Sequence, residues 1–323
     1  MGTPDDVIHL SLVYMRIYFC GMPALMIYNF GAALLRALGD TKRPLYFLSV
    51  AGVVNVIFNL FFVIVLHMNV DGVALATIIS QYISAIFILI ALQHGEDILH
   101  FSIKDMHFYK DKFLSMIRIG VPAGLQSIMF NISNVLIQSS VNSFGSLVMA
   151  GNTAAQNIEG FVFVAMNSLH QSCLSFTSQN YGAKQYKRID QILVRCLCIV
   201  TIVGIISGYG GYLCGEFLLG IYSDDPQVIV YGMNRLALVC APYFICGIMD
   251  VCAGSLRGMG YSLVPTLVSL TGVCAIRVIW IYTIFAMYHT QFSLYISYPI
   301  SWIVTFIAHI ITYLVVRKKA FAK

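Results

Sequence analysis

The sequence predicts an all-α polytopic membrane protein with nine transmembrane helices, and two observations lead to this fold class. Hydrophobic residues make up 59% of the 323 residues and charged residues only 10%, and the mean hydropathy is +0.82. Soluble domains carry roughly 25% charged residues, so lipid is the expected solvent for most of this chain. The second observation is an internal repeat that extends over about three helices.

Apolar stretches long enough to cross the hydrocarbon core, roughly 20 residues each, define the predicted helices. They lie at residues 8–35, 44–67, 72–93, 115–142, 148–179, 190–219, 228–256, 264–288 and 292–316. Lysines and arginines follow every second span and end the chain, whereas the connections between them at 67–71, 143–147, 222–227 and 289–291 hold none. The positive-inside rule therefore predicts a multi-pass protein of the cell membrane with a cytoplasmic carboxyl terminus.

The repeat is a turn motif, Leu-Arg-x-x-Gly-x-x-x-x-Pro, that begins at Leu35 and returns at Leu256, an offset of 256 − 35 = 221 residues. At this offset residues 1–92 match 222–313, while 115–219 have no counterpart upstream. If the duplication was complete, roughly 110 residues with three helices would precede the first residue. We therefore expect an amino-terminally truncated form of a twelve-span protein.

Three domains follow from this arrangement. Residues 1–93 form a partial amino-terminal lobe of three helices, residues 94–114 a cytoplasmic linker, and residues 115–323 a complete carboxyl-terminal lobe of six helices. Because the first and seventh helices run in the same direction across the membrane, we expect a pseudo-two-fold axis along the membrane normal to relate the half-lobe to its copy. That symmetry is typical of a two-lobed transporter with a central cleft.

Four segments resemble the multidrug and toxic compound extrusion (MATE) family. They are Leu-Leu-Arg-Ala-Leu-Gly-Asp-Thr-Lys-Arg-Pro at 34–44, Ser-Leu-Arg-Gly-Met-Gly at 255–260, Ile-Gly-Val-Pro-Ala-Gly-Leu-Gln at 119–126 and Ser-Gln-Asn-Tyr-Gly-Ala-Lys at 178–184. The resemblance covers the whole chain, which corresponds to helices four to twelve. It implies a secondary active efflux transporter that antiports amphipathic or cationic drugs and toxic compounds against sodium ions or protons.

The partners expected from this resemblance are small amphipathic substrates and the lipid bilayer, and the protein is expected to be a monomer. No cofactor is expected beyond the coupling ion, sodium or a proton. The net charge of +5 is explained by basic residues at the cytoplasmic ends of spans, so no nucleic-acid partner is expected.

Polar residues inside the spans are the candidate functional groups, since an ionisable residue at mid-bilayer costs a few kcal/mol or more. Glu159 lies in the fifth span on one stripe with Asn152 and Gln156, and the fourth span carries Asn131 and Asn134. Such oxygen donors suit a sodium ion, and a carboxylate can instead take a proton. We expect Glu159 to couple the cation with these amides in support. The alternative is hydrogen bonding that only holds helices together.

Asp250, in the seventh span, is the second candidate for cation or proton coupling. Arg277 lies near the middle of the eighth span and requires an anion, for which Asp250 or Glu159 is the available partner. The pair is either structural or opens when a cation takes the carboxylate. Arg16 and Arg235 lie closer to the outer surface, where they can extend to the headgroups, and no role is assigned to them.

Other functions have weaker sequence support. A lipid-linked precursor flippase of the same superfamily is the alternative transporter, and a truncated fragment without activity is a further one. A membrane enzyme would need a His-Glu-x-x-His motif, paired aspartates or a nucleophile elbow, and the sequence contains none. The nine cysteines lie within predicted spans without metal-type spacing, so neither a metal site nor a disulfide is expected.

Overall fold

The computed structural model describes residues 5–94 and 107–321, with side chains from residue 8 to residue 318 over those ranges. Every regular element in these ranges is helical. The chain divides into two compact units, Met1–Phe108 and Tyr109–Lys323. The predicted linker at 94–114 falls largely outside the described residues, and the predicted domain boundaries remain predictions.

The first unit contains three long helices. They are α1 (Asp5–Ala37), α2 (Lys42–Leu60) with a π-helical turn at Phe61–Val65, and α3 (Val70–Gln93). Helix α1 packs closely on α3 because it presents glycine there: a Cβ on Gly31 would lie 2.7 Å from the Ile88 side chain. The small core of this unit includes Tyr28, Ala32, Leu35, Ile88 and Leu92.

The second unit contains ten helices. They are α4 (Lys110–Asn142), α5 (Ser146–Gly182), α6 (Tyr186–Leu213), α7 (Gly215–Gly220), α8 (Pro226–Arg235), α9 (Tyr243–Gly258), α10 (Leu263–Ser269), α11 (Ile276–Trp280), α12 (Gln291–Tyr295) and α13 (Ser297–Phe321). Three π-helical turns, Leu236–Cys240, Leu270–Ala275 and Ile281–Phe285, continue spans between or after these helices. Helix α5 packs against α6, α8 and α9, so it lies at the centre of the unit.

Eight helical segments in the described ranges are long and apolar enough to cross a membrane. They correspond to eight of the nine predicted spans. The fifth prediction, 148–179, forms the 37-residue helix α5, which is not apolar enough to count among them. Its polar residues include Asn152, Gln156 and Glu159, and the neighbouring helices rather than lipid surround one side of it. That α5 crosses the membrane, which would make the total nine spans, therefore remains a prediction.

The repeated sequence motif folds into the same turn in both units. Gly39 and Gly260 have positive φ angles of 89° and 86°, a conformation that glycine adopts without a Cβ clash. In each turn the amide after the glycine donates to the carbonyl of the repeat's leucine, at 3.0 Å for Leu35 and 3.1 Å for Leu256. This six-to-one bond is the Schellman pattern that ends a helix. The motif is thus a helix stop whose leucine is buried and whose glycine reverses the chain.

Candidate functional site

The polar stripe of α5 does not face a single environment. Asn152 is fully buried and Glu159 is 7% exposed, whereas Gln156 is exposed. Asn152 and Glu159 are seven residues apart, two helical turns, so both side chains lie on the face of α5 that packs on α8. Burial of a carboxylate on this face requires a cation or hydrogen-bond donors nearby.

Arg235 supplies both. Its Nε donates to Oε1 of Glu159 and its Nη2 to Oε2, each at 2.8 Å, and the side chain is 3% exposed. The third nitrogen, Nη1, donates to Oδ1 of Asn152 at 2.8 Å. The carboxylate is therefore held by a two-pronged ion pair, the geometry in which arginine binds carboxylates most strongly. Both members of the pair and the Asn152 side chain are buried.

Asn152 extends the cluster to other helices. Its Nδ2 donates to Oε1 of Gln138 on α4 at 3.1 Å, and the hydroxyl of Tyr295 on α12 donates to its Oδ1 at 3.2 Å. The ring of Tyr295 also lies under the Arg235 guanidinium, 5.3 Å from its centroid. Asn152 thus links the Arg235 guanidinium to Gln138 on α4 and helps to fix its position.

The expectation that Arg235 extends to the headgroups was wrong, because its side chain is 3% exposed and pairs with Glu159. Arg235 lies inside the unit because α8 approaches α5 closely at two glycines: a Cβ on Gly151 would lie 2.5 Å from the carbonyl oxygen of Val228 and 2.8 Å from the amide of Gly232. Arg235 follows Gly232 by three residues, nearly one turn, and is brought onto the same surface. The glycines at 151 and 232 were the sequence signal for this contact.

Arg277 does not pair with Glu159 or Asp250, contrary to the prediction. Its Nε donates to Oγ of Ser301 at 3.0 Å, and its guanidinium lies over the ring of Tyr298 at 4.1 Å and near that of Trp302 at 5.7 Å. Among the described residues, none places a carboxylate within 4.0 Å of it. The expected partner Glu159 is already occupied on both oxygens by Arg235, which lies on a nearer helix.

Asp250 lies on α9, half-buried, where the backbone rather than the carboxylate meets α5. Nδ1 of His170 lies 2.6 Å from the Asp250 carbonyl oxygen. Among the described residues, the Asp250 carboxylate has no ion pair within 4.0 Å. Asp250 therefore stands apart from the Glu159 ion pair.

A cavity of about 600 Å³ brings most of these groups together. The predicted residues that line it are Asn131, Asn134, Gln156, Glu159, Asp250 and Arg277. Asn152 lies outside the lining and reaches it only through Arg235. Aromatic residues that the sequence did not indicate complete the wall, namely Phe130, Phe163, Tyr243, Tyr298 and Trp302. The cavity is large enough for a drug-sized molecule.

No group of three or more His, Cys, Asp or Glu side chains suited to a metal ion occurs within residues 5–94 and 107–321. All nine cysteines are free, six of them buried. Cys246 and Cys274 line the cavity as apolar wall. The polar groups that line the cavity include two carboxylates, two guanidiniums, several amides and the hydroxyls of Ser133, Tyr243 and Tyr298.

Comparison with known families gives the context of this cavity. The family model described as MatE matches residues 1–61 and 122–283, more than half of the chain. The chain belongs to the MatE family. Similar curated proteins include the probable multidrug resistance protein YpnP of Bacillus subtilis, 28% identical over 278 residues, and a FAD transporter of Shewanella oneidensis, 24% identical over 264 residues.

These matches cover 86% of the chain and 62% of YpnP, and 80% of the chain and 58% of the FAD transporter. The chain therefore spans about three-fifths of the length of the curated MatE relatives that it matches. Solved structures show the fold over the whole chain. The Vibrio cholerae MATE transporter VcmN gives a TM-score of 0.89 at 20% identity, covering 100% of this chain and 73% of that one.

An outward-facing multidrug resistance MATE family transporter gives a TM-score of 0.92 at 17% identity, again with 100% of this chain and 73% of that one. At these identities the likeness shows the fold alone. The chain thus has the helical fold of MATE transporters, a family of transporters rather than enzymes.

Proposed function

We propose that the protein is a secondary active efflux transporter of the cell membrane that exchanges small amphipathic compounds for sodium ions or protons. Membership in the MatE family and the names of relatives such as the multidrug resistance protein YpnP support drug-like substrates. The observation that carries the proposal is the buried Glu159–Arg235 ion pair in the wall of a cavity of about 600 Å³.

The ion pair supplies a means of coupling. A proton or sodium ion that binds the Glu159 carboxylate competes directly with the Arg235 guanidinium, because both oxygens are already occupied by it. Loss of the pair leaves Arg235 as a buried charge without its counterion, a state that costs several kcal/mol. Binding of the proton or sodium ion to Glu159 therefore favours a conformation in which the Arg235 guanidinium contacts water or another anion.

Two features that are common at helix kinks follow Arg235 along the chain. Helix α8 ends at Arg235, a π-helical turn follows at Leu236–Cys240, and α9 begins only after Pro242. Proline lacks an amide hydrogen, and in a π-helical turn each amide bonds the carbonyl five rather than four residues earlier; both features are found where helices kink. We propose that release of Arg235 changes the angle between α8 and α9. Asp250 and the cavity wall on α9 would move with it.

A transport assay tests the proposal. The protein in proteoliposomes should expel ethidium, a cationic amphipathic dye, when either a sodium gradient or a pH gradient is imposed, and the gradient that drives efflux identifies the coupling ion. Vesicles without protein and vesicles without a gradient are the controls. Ethidium movement that responds to neither gradient would overturn the antiport proposal.

A further inference from the structure

Arg277 is a charged residue of the cavity wall whose guanidinium has unused hydrogen-bond donors. It is 5% exposed, and its Nη2 nitrogen is buried without a hydrogen-bond partner. Arg235, 3% exposed in the same cavity wall, has carboxylate and amide oxygens on all three nitrogens. Of these two buried guanidiniums, Arg235 has a carboxylate partner within 4.0 Å and Arg277 has none among the described residues.

The other charges around the cavity do not neutralise Arg277. Glu159 is bound on both oxygens by Arg235. Asp250 makes no ion pair with Arg277 within 4.0 Å, and its backbone carbonyl oxygen lies beside Nδ1 of His170. The groups that Arg277 does meet, the Ser301 hydroxyl and the Tyr298 ring, carry no formal charge. A cation–π contact contributes about 0.5–2 kcal/mol, less than the several kcal/mol that burial of an ion costs.

The first copy of the repeat has no arginine at the equivalent place. At the offset of 221 residues Arg277 corresponds to Val56, and Ser301 to Ser80. In the first unit the neighbouring Asn55 donates to Ser80 Oγ at 3.4 Å, while in the second Arg277 donates to Ser301 Oγ at 3.0 Å. The contact between spans is therefore kept by a neutral amide in one copy. The contact between the two spans therefore does not explain the positive charge of Arg277.

We infer that Arg277 is the binding group for the acidic head of an amphipathic organic anion in this cavity. A carboxylate or sulfonate would accept from the guanidinium where it lines the cavity and would neutralise it through a charge-assisted hydrogen bond. The hydrophobic part of the same molecule would lie on the apolar wall that includes Phe130, Met249 and Val273. The inference rests on the proposed function and extends its substrates from cations to anions.

Two probes of the same shape and opposite charge test this. Naphthalene-1-acetate and 1-naphthylmethylamine share a ring and a methylene, so a difference in binding reports the charge of the head. Binding is measured without any ion gradient, to the protein in phosphatidylcholine nanodiscs, with empty nanodiscs subtracted. We expect the acetate to bind at least tenfold more tightly than the amine. Equal binding of the two, or tighter binding of the amine, overturns the inference.

Substitutions test whether Arg277 accounts for the preference for the anionic probe. Arg277→Gln should weaken naphthalene-1-acetate at least tenfold without weakening the amine, and Arg277→Lys should keep the preference for the anion. Arg195→Gln, which removes an exposed arginine of the same unit, should bind both probes as the unaltered protein does. Unchanged acetate affinity in Arg277→Gln contradicts the assignment. If that variant does not fold, the Lys variant and the two-probe comparison still decide.

A phospholipid phosphate is the other anion of similar chemistry. In phosphatidylglycerol nanodiscs a lipid that occupies Arg277 would weaken naphthalene-1-acetate in the unaltered protein but not in Arg277→Gln, and this result would overturn the assignment to a soluble anion. Gradient-driven ethidium efflux that persists while the acetate fails to bind would refute this inference alone and leave the antiport proposal intact.

Discussion

Glu159 and Arg235 form a pair that neither residue can leave without making the other a buried, unbalanced charge. The pair joins α5 to the end of α8 through two bonds of 2.8 Å, and Asn152 adds a third. Arrangements of this kind give specificity of contact and a large penalty for half-removal. Both consequences can be measured separately.

The functional consequence concerns Glu159→Gln. The amide cannot take a proton at neutral pH and binds sodium less well than a carboxylate, so we expect insertion into the membrane to persist and gradient-driven ethidium efflux to be lost. Asp250→Asn should have a smaller effect, because Asp250 takes no part in the ion pair. Glu216→Gln, an exposed acid on α7, is the matched control. Gradient-dependent efflux by Glu159→Gln would return this residue to the role of a structural contact.

The stability consequence is a double-mutant cycle. Glu159→Gln or Arg235→Gln alone should lower the free energy of unfolding by about 3–5 kcal/mol, because each leaves one buried charge without its partner. The double variant should lose less than the sum of the two, since no ion then remains uncompensated. Thermal unfolding of the four proteins in detergent measures this. Additive losses would show that the pair does not stabilise the unit.

At the level of elements, glycine contacts decide which helices meet. Gly151 on α5 faces the backbone of α8, where an added Cβ would lie 2.5 Å from a carbonyl oxygen, whereas an added Cβ on Gly160 of the same helix meets nothing within 4 Å. The α8 backbone that faces Gly151 cannot move aside as a flexible side chain can. The α5–α8 approach therefore requires that residue 151 has no Cβ.

The matched pair of substitutions is Gly151→Ala and Gly160→Ala. The first should destabilise the protein by about 1–3 kcal/mol, as overpacking does. The second should be neutral or stabilising by up to about 1 kcal/mol, since alanine favours the helix. Thermal unfolding in detergent compares them. Equal melting temperatures for the two variants would contradict the close α5–α8 contact.

For the molecule as a whole, the distribution of basic residues predicts the direction in which the chain crosses the membrane. Green fluorescent protein fused after Lys323 should fluoresce, because it folds in the cytoplasm, and alkaline phosphatase at the same place should be inactive. The same phosphatase fused at the connection 222–227 should be active. The reverse pattern would refute the predicted orientation.

Several features of this protein follow from local sequence. Low charge and high hydropathy predict helices in lipid, because a spanning backbone must satisfy its own hydrogen bonds. The Leu-Arg-x-x-Gly motif predicts the two helix stops at Gly39 and Gly260, because glycine enters that φ region without a Cβ clash. The polar stripe containing Glu159 likewise pointed to the buried cluster, since polar groups within spans need partners.

The partners themselves were decided by tertiary structure. Position along each span predicts that Arg235 lies near the membrane surface and that Arg277 pairs with an acid. The contact of Gly151 with α8 instead brings Arg235 to Glu159, and Ser301 and the Tyr298 ring meet Arg277. Which of two arginines reaches one carboxylate depends on the rotation and close approach of helices. Those are set by packing between distant residues, and no local pattern encodes them.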